Sequence, residues 1–254
     1  MIIRVEPGEA ELASALGRAS PLAKLGIALA WLVGLVFTTR VEPPLALAVG
    51  VLAVGWIVGR VPLRSLALGL LPLWSAAAGI AVFNGLFHPS NGDPSIGAVF
   101  ALGPVRVTEP ALAAAAGLGA RVVAIASIGV VFARTTDATR LVDALVQQGR
   151  VPERFAYGAL AAYQAIPRFA EDLATLRQAR RIRGLRGGWH PRLLVGLLVL
   201  AIRHGDRLAL AMDARAFGSG PRSRYRIVAW SRLDAAVAAG GAVVLAIVLA
   251  LAAA

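Results

Sequence analysis

The chain has 254 residues, of which 58% are hydrophobic and 16% charged, with a formal net charge of +12 and a mean hydropathy of +0.72. It has no cysteine, which excludes a disulfide framework, a thiol nucleophile and a cysteine-ligated metal. Its three histidines, His88, His190 and His204, show no HExxH or HxH spacing, and the lack of a GxxxxGK[ST] loop excludes a self-sufficient ATPase.

Residues 1–20 mix Arg4, Glu6, Glu9, Glu11 and Arg18, so this stretch is read as a cytosolic lead-in rather than a signal peptide. Four apolar runs follow within 21–133. Pro21–Thr39 carries only Lys24, near its start. Pro43–Gly59 and Ser65–Phe87 carry no charge, and Ala111–Ala133 carries only Arg121. A fifth uncharged run, Ala235–Ala254, closes the chain. Runs of this length cross a hydrocarbon core of about 30 Å as helices, so five spanning helices are expected. Arg121 lies near the middle of its span, where an ionisable group is expensive; an internal partner such as a backbone carbonyl is expected, with fraying or snorkelling after a shift in the span boundary as the alternative.

Charge placement sets the orientation. Arginines from Arg134 to Arg232 make up 18 of the 26 basic residues. The loop after the first run holds only Arg40, and the Gly/Pro-rich loop from His88 to Pro110 holds only Arg106. The positive-inside rule then puts the N-terminus, Arg60–Arg64 and the block 134–232 in the cytoplasm, leaving the end of the last helix, 233–254, outside. Nucleic-acid binding is not expected, because aromatics are only 6%, sit mostly in the apolar runs, and form no known module. The basic residues instead hold loops inside and meet anionic headgroups.

The block 134–232 has its own helical organisation. Thr135-Thr136-Asp137 is an N-cap region for a short helix over 138–148, which Gly149 and Pro152 stop. A long amphipathic helix is expected over 153–183, with Pro167 inside it removing one hydrogen bond and introducing a kink. Gly184, Gly187, Gly188 and Pro191 break it. A second long helix is expected over 192–216, stopped by Gly218, Gly220 and Pro221. The apolar stretches Phe155–Ile166 and Leu193–Ile202 are too short to span alone and belong to these helices.

Two clusters stand at the ends of the long helices. These are Ala179-Arg180-Arg181-Ile182-Arg183-Gly184 and Ala211-Met212-Asp213-Ala214-Arg215-Ala216-Phe217-Gly218. Small residues around an arginine let a helix end enter a tight groove, where the guanidinium reaches carboxylates or carbonyls as a multi-donor fork. Two such ends on one membrane protein suggest two docking plugs. Asp213 is placed either to receive a groove arginine or to pair with Arg215 or Arg207.

These clusters, with Phe132-Ala133-Arg134-Thr135-Thr136, Val151-Pro152, Ile166-Pro167 and Arg222-Ser223-Arg224-Tyr225, resemble the transmembrane T components of energy-coupling factor (ECF) transporters. That family includes permease subunits of cobalt and biotin transporters. The resemblance covers residues 105–230; the N-terminal half matches only in hydropathy. The family's signature is an Ala-Arg-Gly triplet at the end of each coupling helix. Here the triplets are Ile182-Arg183-Gly184 and Ala214-Arg215-Ala216, with Ile for Ala in the first and Ala for Gly in the second. Ala179-Arg180 offers another frame for the first.

The resemblance implies an all-α membrane protein of about five spans with a cytoplasmic coupling domain of long amphipathic helices. It implies a non-catalytic subunit in a bacterial-type plasma membrane. Ile182, Arg183, Gly184, Asp213, Ala214, Arg215, Ala216 and Arg180 would dock two ABC-type ATPases, which carry the ATP and Mg; this chain would bind no cofactor. A membrane-embedded S component, which captures a vitamin or transition-metal ion, would ride on the apolar stem. There Gly158, Ala159, Ala161 and Ala162 permit close approach, and Pro167 lies just beyond. An integral-membrane enzyme and a solo secondary transporter are the alternatives. The first lacks the aspartate pairs of a headgroup transferase, and the second lacks polar groups at the midplane of its spans.

Overall fold

The computed structural model describes residues 8–93, 95–102, 105–185, 190–220, 224 and 226–253. The glycines at 187 and 188, Pro221, Arg222, Ser223, Tyr225 and the final Ala254 lie outside the described residues. The chain divides into two compact units. One comprises residues up to Leu141 together with Val228–Ala254, and the other comprises Val142–Ile227.

The first unit is a helical bundle. Two short helices, α1 (Glu9–Ala13) and α2 (Ala15–Arg18), lead into α3 (Pro21–Val36), α4 (Glu42–Ile57) and α5 (Leu63–Leu86). α6 (Glu109–Thr135) and α10 (Arg232–Ala253) complete it. Pro21 opens α3 and Pro110 lies in the first turn of α6; proline there loses no helical bond and has its φ pre-set. α6 is the central helix. Its buried face is made of small residues, Ala111, Ala115, Gly117, Ala120 and Ala124, which let α5 and α4 lie close. A Cβ added to Gly85 of α5 would come 3.3 Å from that of Ala115, and one on Gly55 of α4 would come 2.8 Å from Val131. Such small-residue contacts replace the hydrophobic drive that lipid does not supply. Leu35, Leu47, Val51, Leu66, Ile128 and Val248 form the core between these helices. Val33, Val49, Ile57, Leu71 and Val82 stay exposed on the outside, as a lipid-facing surface requires.

The chain is thus an all-α membrane protein. Leu63–Gly92, Glu109–Thr135 and Arg232–Ala252 are long and apolar enough to cross a membrane. α3 and α4 occupy their expected places, but with 16 residues each they are about 24 Å long, short of a core of about 30 Å. Helix α3 stops early because the Phe37 and Thr38 N–H groups turn back to Gly34 and Leu35 carbonyls and the Thr38 hydroxyl caps Leu35. Beyond α4, Arg60 takes a positive φ of 52°. Arg121 is half-buried in α6, and its Nε has no hydrogen-bond partner, so the expected carbonyl contact is not made through that atom.

The loop between α5 and α6 is not irregular throughout. It holds a 3₁₀ turn, Pro89–Gly92, and a hairpin of β1 (Ala98–Leu102) and β2 (Val105–Thr108). The strands pair antiparallel with Phe100 opposite Val107 and Ala101 opposite Arg106. Asn91 holds the loop closed: its amide donates to the Gly85 and Leu86 carbonyls, and its oxygen accepts from the Thr108 N–H.

Polar side chains tie the arginine-rich end of this bundle together. Lys24 Nζ donates to the Thr135 carbonyl at 2.6 Å. Asp234, 1% exposed, accepts from the backbone N–H groups of Ser20 and Ser231. Arg140 donates to the carbonyls of Gly17 and Arg18 at the end of α2, and Trp31 Nε1 donates to the Gly241 carbonyl of α10.

The second unit is built on α8 (Glu153–Ile182) and α9 (Pro191–Ala214), preceded by α7 (Ala138–Gln147), within which the boundary between units falls. Asp137 caps α7 through the Thr139 N–H. Pro167 lies inside α8. α8 and α9 pack side by side: a Cβ on Gly196 would touch Leu176 at 3.3 Å, and the Phe169 and His204 rings meet edge to face at 6.2 Å.

Candidate docking tips

The two long helices end in the same backbone motif. At the end of α8, Arg183 is the C-cap (φ −78°, ψ 11°) and Gly184 turns left-handed at φ 72°. The Leu185 N–H bonds the Arg180 carbonyl at 3.1 Å and the Gly184 N–H bonds Arg181 at 3.0 Å. At the end of α9, Arg215 is the C-cap (φ −93°, ψ 14°) and Ala216 turns left-handed at φ 53°. The Phe217 N–H bonds the Met212 carbonyl at 3.0 Å and the Ala216 N–H bonds Asp213 at 2.9 Å. Both are complete Schellman motifs, the six-to-one and five-to-two bonds satisfying carbonyls that a helix end leaves open.

This geometry gives the triplets their meaning. The residue before each arginine, Ile182 or Ala214, is the last helical residue. The arginine is the cap, where its charge faces the negative end of the helix dipole. The third residue carries the left-handed turn, the conformation that glycine adopts without penalty. Gly184 fits that requirement and Ala216 strains against it. The frame Ile182-Arg183-Gly184 therefore holds the turn, whereas Ala179-Arg180 lies within α8.

Both tips face outward. Ile182 is 87% exposed, and Arg183, Gly184, Asp213, Ala214, Arg215 and Ala216 are exposed. Arg180 is half-buried and its Nε has no hydrogen-bond partner. Asp213 lies in the last turn of α9, two residues before the Arg215 cap. On the stem, Gly158, Ala159, Ala162 and Pro167 are exposed and Ala161 is half-buried. A Cβ on Gly158 would meet nothing within 4 Å.

The second tip has an anchor that the sequence did not reveal. Just past the turn, the Phe217 ring meets Tyr157 of α8 edge to face at 6.2 Å. Arg154 donates to the Gly218 carbonyl at 3.3 Å. Tyr157 in turn donates its hydroxyl to Asp143 of α7 at 2.8 Å, and Asp143 is buried at 8% exposure. Burial, then the bond to Asp143, pushes the Tyr157 phenol up to about 12, so it stays a neutral donor. Gln147 of α7 fixes the returning chain by donating to the Arg226 carbonyl at 2.8 Å. The residue types are ordinary, and only their meeting in space makes them a unit.

The arrangement defines a class, a helical membrane protein that presents two arginine-capped helix ends. The sequence profile of the cobalt transport protein family, CbiQ, matches residues 13–226. The chain belongs to this family, the transmembrane T components of energy-coupling factor transporters. It is similar to the energy-coupling factor transporter transmembrane protein EcfT of Limosilactobacillus fermentum, with 29% identity over 241 residues, 87% of each chain. It is also similar to EcfT of Heliobacterium modesticaldum, with 28% identity over 197 residues, 70% of this chain and 71% of that one. A putative ABC transporter ATP-binding protein of Bifidobacterium longum is 28% identical over 231 residues, which is 83% of this chain and 29% of that longer protein.

Proposed function

We propose that this chain is the scaffold subunit of an ECF-type ABC importer. Two partner ATPases bind and hydrolyse ATP with Mg, one seated on each tip. Their opening and closing moves α8 and α9, and those helices tip a membrane-embedded S component that carries a vitamin or transition-metal ion. The chain itself catalyses nothing. It lies in a bacterial-type plasma membrane with its N-terminus and the 134–232 block in the cytoplasm.

The observation that carries this reading is the repetition of one motif. Two helix ends, separated by a whole helix, place an arginine at the same cap position and leave it exposed. A single capping arginine is explained by the helix dipole, which is worth about 0.3–1 kcal/mol. Two in matching frames, beside an uncovered Ile182, fit a pair of equivalent grooves. The match to a stretch of a putative ATP-binding protein lends support, because it joins this kind of chain to that kind of partner.

The test is the double variant Arg183→Glu, Arg215→Glu, co-expressed with the two ATPases and an S component. Each lost charge contact costs about 2–5 kcal/mol once its partner is left unpaired. The variant should insert in the membrane normally and fail to retain the ATPases in a quantitative pull-down, and ATP-dependent uptake should stop. Full retention with full uptake would remove the tips from the docking role.

A further inference from the structure

We propose that the apolar cavity of the first unit binds one acyl chain of an anionic phospholipid, with the headgroup held at the arginine-rich end of the bundle. The cavity of about 430 Å³ lies among α3, α4, α6 and α10. It falls in the range of small-molecule sites, about 300–1,000 Å³.

Its chemistry is divided. Lys24 and Thr135 are the polar residues of the lining and bond to each other at one end; the rest is apolar. Small residues make the space, notably Ala28, Ala236 and Gly240, and a Cβ on Gly240 would meet nothing within 4 Å. The exposed lining residues Val54 on α4, Val58 just past its end and Leu233 on α10 open the cavity to the outside of the bundle. In a bilayer that outside is lipid. An apolar cavity stays dry and takes apolar occupants, and an entering chain supplies the dispersion contacts that the lining otherwise lacks.

The charge at the polar end selects the lipid. Arg18 is the last residue of α2, whose Ala15 and Leu16 line the cavity, and Arg232 precedes the lining residue Leu233. Both arginines are exposed. Asp234 beside them is buried and turned onto the backbone N–H groups of Ser20 and Ser231. The end is complementary to a phosphate carrying net negative charge.

The test uses the full chain reconstituted in phosphatidylcholine bilayers. Trp31 lines the cavity and is kept as the single tryptophan by replacing Trp56, Trp74, Trp189 and Trp230 with Phe. A small fraction of brominated-chain phosphatidylglycerol, or the same fraction of brominated-chain phosphatidylcholine, is then added. Phosphatidylglycerol should quench Trp31 about five-fold more effectively, the factor given by one basic contact of about 1 kcal/mol. Gly240→Phe, which fills the cavity, should abolish the preference. Should that variant fail to insert, Ala236→Leu fills the same space. Arg18→Gln with Arg232→Gln should bring the two lipids level. Equal quenching by both lipids in the unaltered cavity overturns the proposal, as does a preference that survives filling. Loss of the preference on assembly with the ATPases and an S component would assign the cavity to a partner instead.

Discussion

The strain at the second tip can be measured against its twin. Ala216 holds φ 53° and Gly184 holds φ 72° at the same position of the same motif. A side chain in the left-handed region costs roughly 1–2 kcal/mol through the clash of Cβ with the backbone. Glycine gives back part of that because its unfolded chain is freer, an offset of about 0.4–1 kcal/mol. Ala216→Gly should therefore stabilise the turn by about 1 kcal/mol, and Gly184→Ala should loosen the other turn by a similar amount. The second substitution isolates the backbone, since a Cβ at 184 meets nothing within 4 Å. Hydrogen exchange at the Phe217 and Leu185 amides, which close the two motifs, reads the opening of each turn. One kcal/mol corresponds to about a five-fold change in local opening, slower at Phe217 in Ala216→Gly and faster at Leu185 in Gly184→Ala. Unchanged exchange in both variants would mean that the left-handed residue is not what closes these helix ends.

The topology can be tested with single cysteines at Ala10, Ser95 and Ser219, because the chain has no native thiol; Ala10 is exposed where Ser14 is buried. Only the Ser95 position should label from outside in sealed cells, and external labelling at Ser219 would reverse the orientation. On the stem, Gly158→Leu with Ala162→Leu should keep the ATPases but weaken the S component by about 30-fold or more, from about 1–3 kcal/mol of overpacking at each of the two sites; loss of the ATPases instead would show that stem and tip roles are exchanged. At the anchor, Tyr157→Phe should speed exchange at Phe217 and leave Leu185 unchanged, since it removes the donor from buried Asp143. In the unaltered chain, a raised phenol pKa stabilises below the ordinary value near 10 and is lost as pH rises through about 12, so the tip should be insensitive between pH 6 and 9.

What was legible in the sequence follows from the range of the forces involved. The helices of the second unit were expected over 153–183 and 192–216, and they run Glu153–Ile182 and Pro191–Ala214. Caps and breakers act within a few residues, so Pro152 and Gly184 mark their boundaries directly. The end of α9 was placed two residues late for the same reason: the left-handed residue is Ala216, and the first glycine after it is Gly218. The spans show the opposite failure. Hydropathy continues through Phe37, but the helix has ended at Val36, because hydropathy measures the environment a segment tolerates and not where its hydrogen bonds stop. The hairpin was missed because four or five residues of alternation are too few to stand out in a loop rich in glycine and proline.

The long-range contacts had no sequence signal at all, for a physical reason. Asp234 meets Ser20 across 214 positions and Lys24 meets Thr135 across 111. Each is a lone polar residue at the edge of an apolar run, where the sequence offers only two options, a snorkelling charge or an error in the span boundary. Packing decides otherwise. Once α6 and α10 lie against α3, such a group must find a partner inside the protein, because an unpaired polar atom in an apolar surround costs more than a modest hydrogen bond returns. The same logic produced the Tyr157–Asp143 anchor beside the second tip. The arginines at the tips were readable because their setting is local, a helix end. What holds the second of those ends in place was not, because Asp143 and Tyr157 acquire their roles only when α7, α8 and the chain beyond Ala216 meet.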